Sequence, residues 1–343
     1  MADPELKYVN CLNGLLDWRA GELLPHTPDY HSVTQLPVAY HEDAYPKCFA
    51  DFLNEVLPSA ESQALLFEWF GYCLLPTTKY QKALLLIGKG SNGKSKVLDV
   101  LTALVGPDNT ASVALQELTA DRFAPARIVD RLVNICADLG DKAVVEDSGT
   151  LKKITSGDAI QAQKKYGDLF TFRPTCRLMF SANHFPKTSD HTLGYWRRWL
   201  LLPFEVQIPK EQQNPNLSAE LTAPEELQGI FNLALEGLRR LESRGYFEET
   251  ADMKRALHEY QAQSDSVIAF LDPEEDQCTI APGLQVGKEA LYQAYTRWCD
   301  EGNRGAVSRT KFNRALIEAA PVTEIRVGHD TVRTWNGIGL LRR

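Results

Sequence analysis

The chain is short of several features, and each shortage excludes a class. No apolar run approaches the roughly 20 residues that a membrane-spanning helix needs, and no basic-then-apolar leader opens the sequence. Cysteine is present but unorganised. Cys11, Cys48, Cys73, Cys136, Cys176, Cys278 and Cys299 form no CxxC pair and none has a histidine at metal-finger spacing. That excludes a zinc-finger framework and leaves reduced thiols, most of them in the core. Positive charge is scarce as well: 37 Lys and Arg stand against 45 Asp and Glu, a formal net charge of −8 with a pI of about 5.5. Bulk electrostatics therefore do not advertise nucleic acid or a membrane surface. There is no internal repeat and no low-complexity tract. What remains is 343 residues, 44% of them hydrophobic, with a mean hydropathy of −0.28. Such a chain can bury a sizeable core in roughly two to three domains, and a soluble cytoplasmic protein is expected.

The pattern changes along the chain. Residues 1–47 mix Pro, Gly, Asn and Tyr with short apolar runs (GLLDW, QLPVAY), which predicts turns and short strands. From Phe49 the spacing predicts helices through FADFLNEVLP and ESQALLFEWFGYCLL. Between about 82 and 206, KALLLI, LVNICADL, CRLMFSAN and RWLLLPF read as strands with helical patterns between them, a buried sheet in an α/β layer fold. Residues 207–223 read as an exposed loop. Helices follow in EELQGIFNLALEGLRRLESRG, ending on Gly245, and over about 250–271. The acidic stretch LDPEEDQ marks a boundary, beyond which two helices and a small hairpin outline a winged helix. Residues 304–343 carry eight Lys and Arg against three Asp and Glu, a basic end in an acidic protein. The domains expected are 1–80 (turn-rich and helical), 81–206 (core), 207–271 (helical continuation) and 272–343 (winged-helix-like).

One stretch carries chemistry by itself. Gly88-Lys89-Gly90-Ser91-Asn92-Gly93-Lys94-Ser95 fits G-x-x-x-x-G-K-[ST] without a mismatch, with a strand before it and a helix after it. Glycines let successive backbone N–H groups curl around phosphates, and the helix start aims its positive end at them. Lys94 would reach the β- and γ-phosphates of ATP and the Ser95 hydroxyl would ligate Mg²⁺. The cofactor-binding set is Gly88, Gly90, Ser91, Asn92, Gly93, Lys94, Ser95 and Lys96. Asp138 ends an apolar strand, the position of a carboxylate that holds the metal with Ser95, and Asp141 follows three residues on. Asn183 ends another strand, where an amide could sense the γ-phosphate, although Asn is also a common turn residue. Arg197 and Arg198 precede a last strand and could serve a neighbour's γ-phosphate or stack at an interface.

In this order the parts resemble superfamily 3 helicases, and among them the C-terminal helicase portion of phage, plasmid and poxvirus-type primase-helicases. The resemblance rests on GxNGKS, the strand ending in Asp, LKKITSGDAIQAQKKYGDLFTF, SANHFP and WRRW, and it covers nearly the whole chain. It implies an AAA+-like P-loop ATPase core with a central parallel sheet, a helical N-terminal region and a C-terminal winged helix. By position it implies Lys94 and Ser95 in Walker A, Asp138 in Walker B, Asn183 as sensor and Arg197 or Arg198 as arginine finger. A channel hairpin with a basic-aromatic tip in polyomavirus and papillomavirus members implies DNA contacts for Lys164, Lys165 and Tyr166. Relatives often carry two acids at the end of the Walker B strand. Here Ala137 precedes Asp138, which leaves Asp141 or a neighbour as base.

The activity implied is that of an ATP-driven, hexameric DNA helicase moving 3′-to-5′ on single-stranded or forked DNA in a bacterial cell or virus-infected host. A primase or polymerase module is a possible partner, and nothing in the sequence supplies primase acids. A ring gripping DNA through a few pore lysines per subunit reconciles this with an acidic chain. A loader or remodelling ATPase is the alternative, followed by a nucleic-acid-binding module and, last, a small-molecule kinase.

Overall fold

Apolar runs too continuous to face water build the centre of the computed structural model, which describes residues 6–140, 143–145, 147–327 and 332–341. The chain begins with β1 (Tyr8–Cys11), β2 (Gly14–Asp17) and β3 (Glu22–Leu24), an antiparallel sheet. Helices α1 (Lys47–Val56) and α2 (Ala60–Cys73) follow, the second capped by Ser59, whose hydroxyl accepts from the Ser62 N–H. Next come β4 (Ala83–Ile87), α3 (Lys94–Val105), β5 (Thr110–Ala111), α4 (Leu115–Ala120), β6 (Val133–Cys136), β7 (Val144–Val145) and α5 (Ser148–Ser156). After these the chain forms β8 (Ile160–Gln163), β9 (Leu169–Phe172), β10 (Arg177–Ala182), β11 (Lys187–Thr188), α6 (Leu193–Trp196) and β12 (Trp199–Pro203). Helices α7 (Leu217–Leu221), α8 (Pro224–Arg244), α9 (Ala251–Ser264) and α10 (Ser266–Leu271) lead to β13 (Cys278–Gly287), α11 (Lys288–Glu301), α12 (Arg309–Ala319), β14 (Thr323–Val327) and β15 (Val332–Leu340).

The central sheet runs β12–β4–β10–β6–β5 and is parallel throughout. Every residue of β4, β6 and β10 is buried, as a parallel sheet covered on both faces requires. The Asn134 side chain inside it is paired, its amide bonding both the N–H and the C=O of Val113, at 2.8 and 2.9 Å. Helices α2 and α8 cross where Gly71 and Gly237 bring the backbones together. A Cβ at Gly71 would stand 2.2 Å from the Ala234 carbonyl oxygen. Beside this crossing Glu68, 2% exposed, is gripped by Arg240 at 2.7 Å and by Arg244.

Contacts divide the chain into two compact units, before and after the Leu257–His258 bond. In the second unit β13, β15 and β14 form an antiparallel sheet and α10, α11 and α12 enclose a core around Phe270, Tyr295, Phe312 and Trp335. Two local expectations need correction. The helix expected over 250–271 is broken at Asp265, whose carboxylate caps α10 by accepting from the Val267 N–H. The loop over 207–223 contains the short helix α7. The stretch CTIAPGLQVG, to which the sequence pattern assigns no element, is β13, paired with β15 across a register shift between Ile280 and Gln285.

Candidate functional site

The loop from Gly88 to Gly93 leaves the carboxyl end of β4 and enters α3. Two of its residues, Ser91 and Gly93, have positive φ (61° and 81°). At Gly93 a side chain is also excluded sterically, since a Cβ would lie 2.8 Å from the Phe52 ring and 3.0 Å from Val56 on α1. Gly88 is equally confined, with the Phe204 carbonyl oxygen 2.2 Å from its hypothetical Cβ. Gly90, by contrast, is exposed and faces open space. The loop is pinned on its far side as well. Asn92 Nδ2 donates to the Phe204 carbonyl at 2.9 Å, and the Ile208 N–H donates to the Ser91 carbonyl at 2.8 Å. The cap residue of α3 is Gly93, which supplies no side-chain acceptor, and no acid stands in the first turn, so the start of this 12-residue helix keeps its positive end for an anion.

Lys94 is the hub. Its ammonium donates to the Gly88 carbonyl, to Asn92 Oδ1 at 2.9 Å and to Asn183 Oδ1 at 3.4 Å. It is 5% exposed, and burial holds its pKa below the ordinary lysine value of 10.5, with the nearby Asp138 charge working in the opposite direction. Asp138 and Asn183 follow the ends of β6 and β10, both exposed, and Asp138 Oδ1 accepts from the Gly140 N–H at 2.8 Å. Lys94, Asn92, Asp138 and Asn183 thus meet at the carboxyl ends of three adjacent parallel strands, where open α/β sheets take their ligands. Ser95 is exposed in the first turn of α3. Lys96 turns elsewhere, donating to Ser218 Oγ at 2.5 Å. Asp141 lies outside the described residues.

The two arginines separate. Arg198 is 7% exposed and donates to Thr155 Oγ1 at 3.1 Å, to Ser156 Oγ at 2.9 Å and to the Gly194 carbonyl. Burial, and next the Arg197 charge, lower its pKa. Arg197 is exposed, with Nη2 donating to Gln81 Oε1 at 3.1 Å, beside a cleft that Lys79 and Lys82 also line. Gln81 itself has φ of 54°. Nothing in the sequence signals that contact, because the partners lie 116 positions apart.

Lys164, Lys165 and Tyr166 occupy the tip of the antiparallel β8–β9 hairpin, all exposed, Tyr166 at 96%. The Gly167 N–H closes the turn on the Lys164 carbonyl at 2.9 Å, and the Lys165 ammonium stands 5.4 Å from the Tyr166 ring centre.

Known proteins resemble this chain in part. Residues 86–198 match a family of unknown function (DUF5906), and residues 2–58 match the family described as D5 N terminal like. A protein of Acanthamoeba polyphaga mimivirus, L207/L206, which is named as a helicase, is 23% identical over 335 residues, covering 89% of this chain and 34% of the viral protein. The chain therefore spans about a third of that relative's length. Among solved structures, the A-form apo structure of the NrS-1 C-terminal region superposes with a TM-score of 0.55 at 13% identity, covering 88% of this chain and 78% of that one. An apo structure of the same region, residues 305–718, gives 0.55 at 14% identity, with 88% and 77% covered. At these identities the likeness is one of fold: mixed α/β with a central parallel sheet. Among the described residues no helix is long and apolar enough to cross a membrane.

Proposed function

We propose that this chain, a relative of the primase-helicases by its D5-like beginning, its viral helicase relative and its fold, is an ATP-driven motor that unwinds DNA. The observation that carries the reading is the convergence of Lys94, Asn92, Asp138 and Asn183 at the carboxyl ends of β4, β6 and β10.

A polyphosphate fits this donor set. The Lys94 ammonium is held by neutral carbonyl and amide oxygens, which phosphate oxygens can replace or supplement, and the uncapped start of α3 adds backbone donors. Ser95 and Asp138 are the residues that would hold Mg²⁺ beside the phosphates, where the ion neutralises developing charge. Asn183, already tied to Lys94, is suited to orient water or the γ-phosphate.

The strand order β12–β4–β10–β6–β5 supports an AAA+-like P-loop core. In such a ring ATP lies between subunits, and an arginine from the neighbour must project from the surface to reach it. Arg197 meets that need, whereas Arg198 is buried and engaged by its own chain. The exposed Lys164, Lys165 and Tyr166 would then grip one DNA strand in the pore, a sequence-independent and salt-sensitive contact. The second unit, with helices α11 and α12 followed by the β14–β15 hairpin, fits a winged helix.

ATP hydrolysis stimulated by single-stranded DNA tests this directly. Lys94→Ala should abolish hydrolysis, and Lys165→Ala should leave the basal rate but remove the DNA stimulation. Light scattering with an ATP analogue, Mg²⁺ and forked DNA should show a closed ring of about six copies. A monomer under every condition, or hydrolysis indifferent to DNA, rejects the ring motor.

A further inference from the structure

At the foot of the β8–β9 hairpin the first unit has a cavity of about 280 Å³ that the nucleotide chemistry does not use. It opens between the β1–β3 module and the amino ends of β6 and β10, away from the strand ends that carry Asp138 and Asn183. Three aromatic residues line it, Tyr8, Tyr30 and Phe172, together with Arg131, Arg173 and Asp130. The Tyr8 and Tyr30 rings meet edge to face, 5.6 Å apart at 86°, so the two rings present surfaces in different directions. Phe172 stands 5.9 Å from Phe170, the previous residue on the same side of β9. Arg173 is exposed and donates one Nη1 bond, at 3.3 Å, to the Gly157 carbonyl, so that bond uses one of its five donors. Asp130 is exposed and opposes part of this positive charge, so the lining holds two guanidinium groups against one carboxylate.

Aromatic surfaces beside guanidinium groups suit unpaired bases and the phosphates that join them. Position strengthens the match, because β9 leads from the Lys164–Lys165–Tyr166 tip straight to Phe172 and Arg173. Strand β9 itself, Leu169–Phe172, covers roughly 10 Å of that path. We infer that this cavity binds bases and phosphates of a single nucleic-acid strand, continuing the path that begins at the hairpin tip. The inference rests on the reading of that tip as a strand contact.

Photo-crosslinking on the unmodified chain tests the path, using oligothymidylates of about 4 to 16 nucleotides, the span of known single-strand sites, with 4-thiothymidine at one position. Crosslinks are expected at Tyr166 with every length and at Tyr8 or Tyr30 only with the longer ones. In parallel, affinity should rise with length, and Arg131→Gln with Arg173→Gln should remove that rise. The double substitution should also reduce the slope of log affinity against log salt by about 1.4, two phosphate contacts' worth. Phe172→Leu, which keeps an apolar residue on β9, gives the same length readout should the double variant melt early. Crosslinks at the tip alone, with both variants binding like the parent at every length, overturn the cavity and leave the hairpin contact standing. Crosslinks at neither place overturn both. Saturation of the cavity by free thymidine monophosphate, with no dependence on strand length, overturns the strand path.

Discussion

Arg198 donates from Nε to Thr155 Oγ1 at 3.1 Å and so fastens the entry of β12 to the last turn of α5. Helix α5 runs on into the β8–β9 hairpin, and its Lys152 pairs with Asp190 ahead of α6. Burial alone would raise the Asp190 pKa, but hydrogen bonds from Lys152, Ser148 and Thr192 outweigh it and hold the carboxyl well below its usual range. The hairpin and the segment bearing Arg197 are therefore joined by buried or half-buried polar ties, and of the adjacent arginines Arg198 is buried among them while Arg197 is exposed.

Substituting the two arginines one at a time tests that contrast. Arg197→Ala should leave the urea midpoint nearly unchanged, because its contact with Gln81 is exposed, while ATP hydrolysis falls about a thousandfold if it is the finger. Arg198→Ala should instead lower stability by about 2–4 kcal/mol, since it strips charged hydrogen bonds from Thr155, Ser156 and Gly194. Equal stability losses in the two variants would contradict this division.

Lys94 gives a pH signature. Its pKa is lowered in the folded chain, so between that value and 10.5 the unfolded chain binds more protons than the folded one. Stability without nucleotide should rise with pH through that window, relative to a Lys94→Met variant in which the rise is absent. Tripolyphosphate, by favouring the charged ammonium, should flatten the difference. Melting temperatures of both proteins across alkaline pH check the sign.

Glu68 tests the α2–α8 pairing. Removing it leaves Arg240 and Arg244 without the carboxylate that both engage, and a broken buried ion pair costs about 3–5 kcal/mol. Urea titration of Glu68→Ala should show that loss, and a change under about 1 kcal/mol would mean the arginines find water instead.

At the same crossing, Gly71→Ala should destabilise by about 3 kcal/mol, because the added methyl would fall 2.2 Å from the Ala234 carbonyl oxygen and α8 must shift. Gly237→Ala should behave alike, its Cβ meeting the Phe67 backbone at 2.4 Å. Alanine ordinarily favours a helix over glycine, so a stabilised variant in either case would show that the helices stand further apart.

Much of this was legible in the residues. The run ALLLI could only be a buried strand, and GKGSNGKS after it could only be a tight, glycine-dependent turn into a helix. The likeness of KKY to the channel hairpin of superfamily 3 members, rather than local pattern, implied a hairpin tip, and Lys164, Lys165 and Tyr166 stand at one. Strand β13 escaped because Pro282 and Gly283 interrupt it and only Cys278 and Val286 are buried, so no alternation emerged. The break at Asp265 escaped because apolar spacing continues past it, and only its capping carboxylate marks the new start. Glu68 with its arginines, the Gln81–Arg197 contact and the cavity lining all join positions far apart in the chain, and local pattern holds no record of such pairs.

The central place of β4 has a consequence for the chain as it is made. Both neighbours of β4 are parallel, Leu178 and Trp199 each aligning with Ala83, so neither can pair with it until residues well downstream have been synthesised. At ribosomal rates of about 5–20 residues per second, ALLLI waits several seconds as an apolar strand with two open edges. Release of a chain that stops short of Pro203 leaves one edge open for good, and self-association through β4 is then the fate to expect of the fragment.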